Sequence, residues 1–142
     1  MFNTIMVATD GSKHGDRAVD VAKSFARQGK SKVVVVYVTE FLVGKSLSYP
    51  LAPNEDEILT KIKAQVADFN AVGVLAELTT DVVSFGGPAQ VIAGAAESVG
   101  ADLIVVGSRG HSPLSQVVLG SVPVRLLQIS TCPVLVVPPP ER

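Results

Sequence analysis

Three glycines and a serine in one stretch have the spacing of an anion cradle. In Gly107 to Ser121 (GSRGHSPLSQVVLGS), two residues separate Gly107 from Gly110 and nine separate Gly110 from Gly120, which Ser121 follows directly. The apolar run Leu103-Ile104-Val105-Val106 leads into the first glycine, and a helix-compatible segment, Val122 to Ile129, follows the serine. The order is buried strand, glycine-bearing loop, helix N-terminus. A helix N-terminus offers N–H groups without intrahelical partners and a partial positive charge, which suit an anion. Glycine lets a backbone come close to phosphate, and Ser121 is expected as the N-cap, adding a hydroxyl donor. Neither G-x-x-x-x-G-K-[ST] nor G-x-G-x-x-G occurs, so the P-loop and the dinucleotide fingerprint are both absent.

The rest of the chain alternates strands and helices that would carry this loop. Thr4 to Ala8 reads as a buried strand ending in a turn at Asp10-Gly11. Ser12 can cap a helix running to about Gln28 with Gly29 as its stop, and Ala18, Val19, Ala22, Phe25 and Ala26 form its apolar stripe. Lys32 to Val38 is apolar on both faces, as in a parallel sheet covered on both sides. Thr39 to Pro53 reads as a loop, with Gly44, Pro50 and Pro53 as breakers and Phe41 and Tyr49 as its aromatics. Asn54 and Glu57 make an N-terminal pair for a helix with Ile58, Ile62, Val66 and Phe69 on one face. Val74 to Thr80 reads as a strand near the sheet edge. Gly86-Gly87-Pro88 opens a third helix with small inner residues, Ala89, Ala93, Ala95 and Ala96, and Gly100 ends it. Strand four begins near Asp102, and Pro133 to Val137 is the fifth strand. Residues 1–142 thus read as one α/β domain, with helical crossovers that imply a doubly wound parallel sheet with helices on both faces.

The loop pattern G-x2-G-x9-G-S resembles the nucleotide-binding signature of the universal stress protein family. Ile5 to Ser12 (IMVATDGS) resembles that family's first strand and acidic turn. Ala101 to Gly110 (ADLIVVGSRG), Leu119 to Val122 (LGSV) and Cys132 to Val137 (CPVLVV) resemble its fourth strand, loop end and closing strand. The resemblance implies a five-stranded sheet of order 3-2-1-4-5. Strands one and four are then neighbours at a topological switch point, where open α/β sheets bind ligands.

The resemblance also implies an ATP site, residue by residue. Ala8, Thr9, Asp10 and Val38 line the adenine and ribose side, with Val106 and Gly107 beneath the ribose. Arg109 and Gly110 flank the first phosphates, and Gly120, Ser121 and Val122 receive the terminal ones. Asp10 could accept from a ribose hydroxyl, help position a metal, or serve only the Asp-Gly turn. Arg109 could meet phosphate or stand as a solvated surface charge. Pro123 removes one potential N–H donor from the helix N-terminus. Magnesium, if it accompanies the nucleotide, falls near Asp10 or Ser121. Phe41 and Tyr49 either fold over the nucleotide or belong to a variable linker. A homodimer through the apolar edge strand Cys132 to Val137 is a further implication.

Composition bounds the remaining classes. A net charge of −1 and 47% hydrophobic residues fit a soluble domain with no basic face for nucleic acid. The longest apolar run, Val33 to Val38, is too short to span a bilayer. Met1-Phe2-Asn3 carries no basic signal-peptide start. The lone Cys132 cannot form an internal disulfide, which suits the cytoplasm, and reads as a buried structural thiol. His14 and His111 have no ligand-spaced partners, so no protein metal site is expected; His14 is expected to face solvent. Within these bounds, the resemblance implies an ATP-binding, stress-response nucleotide sensor with no catalytic residues and at most slow ATPase activity. The alternative is a dimeric stress-response scaffold without nucleotide. A PP-loop adenylating enzyme is disfavoured, because Thr9-Asp10-Gly11-Ser12 stands where such enzymes carry Ser-Gly-Gly.

Overall fold

The computed structural model describes residues 2–39, 41–43, 48–50, 55–82, 87–108 and 120–139. In chain order the elements are β1 (Thr4–Ala8), α1 (Lys13–Gly29), β2 (Lys32–Thr39), β3 (Phe41–Val43), β4 (Ser48–Pro50), α2 (Glu55–Ala71), β5 (Ala76–Val82), α3 (Gly87–Val99), β6 (Leu103–Gly107), α4 (Ser121–Ile129) and β7 (Val134–Val137). Five strands form a parallel sheet in the order β5-β2-β1-β6-β7. With the β3–β4 pair set aside, this is the order 3-2-1-4-5 expected from the family resemblance.

The apolar runs of β1, β2 and β6 are explained by burial on both faces. Side chains alternate across a strand, and here they divide cleanly. Ile5, Val7, Val33, Val35, Tyr37, Leu103 and Val105 join Ala18, Ala22 and Ala26 of α1 and Ile58, Ile62 and Phe69 of α2. Met6, Ala8, Val34, Val36, Ile104 and Val106 join Ala89, Ile92, Ala93 and Ala96 of α3 and Leu126 of α4. A charge at any of these central positions would lie inside one layer or the other.

Three local expectations are corrected. The stretch from Thr39 to Pro53 is not simply a loop: β3 and β4 pair antiparallel, with Phe41 opposite Pro50 and Val43 opposite Ser48. Phe41-Leu42-Val43 is β-favouring, and Pro50 is tolerated at a strand end because its missing N–H costs no central ladder bond. Helix α1 includes Gly29, and the left-handed cap falls on Lys30 (φ 56°, ψ 40°). Both Lys30 N–H and Ser31 N–H turn back to the Ala26 carbonyl, so the reversal into β2 sets the stop rather than the glycine. Phe25 is 41% exposed, on the flank of an arc centred on Ala18, Ala22 and Ala26.

Candidate functional site

The switch point lies at the carboxyl ends of β1 and β6, where Ala8 pairs with Val106. Thr9 leaves β1 with its N–H donated to the Val36 carbonyl (3.1 Å), and it remains buried. Its hydroxyl accepts from Gly11 N–H at 3.1 Å, and Asp10 Oδ1 accepts from Ser12 N–H at 2.9 Å. Ser12 is the N-cap of α1, accepting from Gly15 N–H at 3.2 Å. Gly11 has φ +82°, and a Cβ there would lie 2.8 Å from Ile58 Cγ2 of α2. The turn therefore needs glycine both for its backbone conformation and for its closeness to α2. Asp10 is half-buried at the head of this turn.

The opposite wall is built from β6 and α4. Gly107, buried, ends β6 beside Val137. Ser108 donates its N–H to the Val137 carbonyl (2.9 Å), and its own carbonyl accepts from Gly120 N–H (2.8 Å). One backbone bond thus pins together the two ends of the intervening segment. The N-cap of α4 is Gly120, not the expected Ser121: Gly120 is extended (φ −66°, ψ 164°), and its carbonyl accepts from Val124 N–H at 3.3 Å. Ser121 is the first helical residue and is exposed. With glycine at the cap, the N-cap residue supplies no side-chain bond to the first-turn amides. Pro123 has no N–H, so Ser121 and Val122 carry the amide donors that can face an anion.

Most of the sequence-derived candidates are brought to this end of the sheet. Ala8, Val38 and Val106 belong to the layer on the α3–α4 face, Ala8 and Val106 buried and Val38 half-buried. Gly107 ends β6, and Gly120, Ser121 and half-buried Val122 open α4. Arg109, Gly110 and His111 lie outside the described residues. Phe41 and Tyr49 fall in β3 and β4. Among the described residues, no group of three or more His, Cys, Asp or Glu side chains could hold a metal.

Sequence reasoning missed several features. His14 does not simply face solvent: it is half-buried, and its Nδ1 is buried with no hydrogen-bond partner among the described residues. It is drawn inward because α1 presses its first turn onto Gly107, which no local pattern announces. Ser108 Oγ, directly after β6, is likewise buried without a partner among the described residues. Cys132 is half-buried rather than buried, with Sγ 3.7 Å from Ser130 Oγ. Lys61 of α2 also reaches the Asp10-Gly11 turn, donating to the Gly11 carbonyl at 2.9 Å.

An open parallel α/β sheet whose winding reverses between β1 and β6 defines a doubly wound α/β domain. Residues 1–138 match the model of the universal stress protein family, and the chain belongs to that family. It is 36% identical to universal stress protein YxiE of Bacillus subtilis, over 96% of this chain and 99% of that protein. The hypothetical protein MJ0577 shares the fold, with a TM-score of 0.80 at 24% identity over 100% of this chain and 99% of that one. A universal stress protein solved in complex with cAMP superposes with a TM-score of 0.67 at 30% identity, covering 96% of this chain and 97% of that one. The Archaeoglobus fulgidus protein solved in complex with dAMP gives 0.66 at 26% identity, covering 94% and 96%. Among the described residues no helix is long and apolar enough to cross a membrane.

Proposed function

We propose that this chain is an ATP-binding universal stress protein of the cytoplasm, acting as a stress-response nucleotide sensor with little or no hydrolysis. The observation that carries the reading is the start of α4. A glycine N-cap leaves the Ser121 and Val122 amides without a side-chain cap at the mouth of the switch-point crevice. The adenine nucleotides in two structural relatives support an adenine ligand.

In this reading Ala8, Thr9, Asp10 and Val38 hold the base and ribose side, and Val106 and Gly107 form the floor. Arg109 and Gly110 meet the inner phosphates, and Gly120, Ser121 and Val122 the outer ones. Magnesium bound with the nucleotide would sit near Asp10 or Ser121 and neutralise phosphate charge. The chain works as one domain over residues 1–142 and pairs with a second copy through the strand from Cys132 to Val137. The two sheet edges differ in a way that supports this pairing. Strand β7 is Val-Leu-Val-Val, whereas β5 carries Glu77 and Asp81, and charged edges resist pairing.

The test is nucleotide analysis and thermal unfolding. Nucleotide released from heat-denatured purified protein should be an adenine nucleotide. At ATP a hundredfold above its Kd, stabilisation of roughly 2.7 kcal/mol should raise Tm by about 5–10 °C. GTP should do much less. Protein that releases no nucleotide and shows no shift with ATP would overturn the reading.

A further inference from the structure

We propose that Lys61 is a positioning residue for the crevice, holding the Asp10-Gly11 turn from helix α2. The proposal rests on the reading of that crevice as a nucleotide site. Lys61 Nζ lies 2.9 Å from the Gly11 carbonyl oxygen and 2.7 Å from Asp16 Oδ2. Asp16, in the first turn of α1, accepts through its other oxygen from Gln65 Nε2 at 3.1 Å. One ammonium thus joins three elements: the turn after β1, the start of α1 and the middle of α2.

Two observations show that this arrangement is built rather than incidental. Gln65 Oε1 is buried without a partner among the described residues. Turning the amide over would place that oxygen against the Asp16 carboxylate, so the orientation serves Asp16 at the expense of Oε1. The peptide that Lys61 grips is also the one that most needs holding. Gly11 sits at φ +82° where an added Cβ would meet the Ile58 side chain, and glycine alone does little to restrict its own backbone. Lys61 tethers the Gly11 carbonyl to α2. Asp10, one residue before this carbonyl, is thereby fixed for a ligand hydroxyl or metal. The ion pair is partly exposed at both ends (42% and 32%), so its contribution is to geometry far more than to stability.

The experiment compares wild type, Lys61→Met and Lys61→Arg by titration calorimetry with ATP and by backbone amide hydrogen exchange without ligand. Lys61→Met keeps the aliphatic stem and removes both donors. Its Kd should rise about three- to tenfold, while Tm of the free protein moves by no more than about 2 °C. Exchange at the Gly11 and Ser12 amides should quicken at least about fivefold. Lys61→Arg, which can still donate to both acceptors, should return Kd to within about twofold of wild type. Asp16→Asn, which weakens the anchor of the ammonium, should move both readouts in the same direction as Lys61→Met by less. Wild-type Kd in Lys61→Met, or unchanged exchange at Ser12, would overturn the positioning role. Wild-type protein that bound no adenine nucleotide would bring down the site reading instead, and the exchange data would still decide whether Lys61 holds the turn.

Discussion

A Cβ on Gly107 would lie 2.7 Å from the backbone carbonyl oxygen of His14. The last residue of β6 and the first turn of α1 are therefore in backbone contact, with no room for a side chain between them. This approach brings the α1 N-terminus beside the carboxyl end of β6. Gly107→Ala should force α1 outward or twist the end of β6. Overpacking of this kind costs about 1–3 kcal/mol, or a fall in Tm of roughly 3–9 °C for a chain of this size. Because the clash is with backbone, adding His14→Ala to Gly107→Ala should restore little of the loss. Differential scanning calorimetry of the single and double variants checks both points, and a wild-type Tm for Gly107→Ala would show that the contact can open freely.

That contact also marks where sequence reading stops. The strands were legible because doubly covered strands must be apolar on successive residues, as in Val33-Val34-Val35-Val36. The loop ends were legible because glycine, strand and helix follow one another in a fixed order. The His14–Gly107 approach pairs residues far apart in the chain, and a half-buried His14 leaves no periodic trace. Lys61 stands on the solvent side of a helix whose pattern predicts only Ile58, Ile62, Val66 and Phe69 as inward, so its reach to Gly11 depends on how α2 is set against the turn. The capping role fell on Gly120 rather than Ser121 because the helix starts one residue earlier, at Ser121, than a side-chain-first reading assumes.

Lys30 offers a second, independent test. It holds a left-handed conformation (φ 56°) at the end of α1, and its side chain is exposed. A residue with a Cβ is disfavoured there by about 1–2 kcal/mol, part of which glycine returns as unfolded-state entropy. Lys30→Gly should therefore stabilise the domain by about 0.5–1 kcal/mol and raise Tm by about 1–4 °C. A lower Tm would mean that the Lys30 side chain contributes more than its backbone costs.

The proposed dimer can be tested at a position that leaves the β6–β7 ladder intact. Ile104 N–H donates to the Pro133 carbonyl (3.0 Å) and Ser108 N–H to the Val137 carbonyl (2.9 Å). Bonding alternates along a parallel strand, so residues 133, 135 and 137 face β6, while the backbone groups of Val134 and Val136 face outward. Val137 is only 3% exposed, and a charge there would disturb the core before it informed on pairing. Val136→Pro instead removes one outward N–H, as prolines do on natural edge strands. Light scattering should give a dimer for wild type and a monomer for a folded Val136→Pro. A wild-type monomer, or a dimer unchanged by the substitution, would rule out pairing through β7.

Slow turnover is the remaining prediction. Rapid phosphoryl transfer needs an oriented water, compensation of charge at the γ-phosphate and usually a metal held in place. The chain has no Walker lysine, and the stretch from Gly107 to Ser121 contains no carboxylate and one glutamine, Gln116. Asp10 belongs to the ribose side of the proposed site, and its Oδ1 is engaged by Ser12 N–H at 2.9 Å. A carboxylate used to brace a turn is poorly placed to take a proton from water at the far end of a triphosphate. The amides of Ser121 and Val122 can steady the terminal phosphates in ground state and transition state alike, and such uniform binding raises affinity without raising kcat. Single-turnover assays with labelled ATP and magnesium should therefore give a rate well below about 1 s⁻¹, the lower end of the ordinary enzyme range. Gly120→Val, which crowds the phosphate end, serves as the control for contaminating ATPase. A rate at or above that value, lost in Gly120→Val, would make this protein an enzyme that consumes its ligand rather than a sensor that reports it.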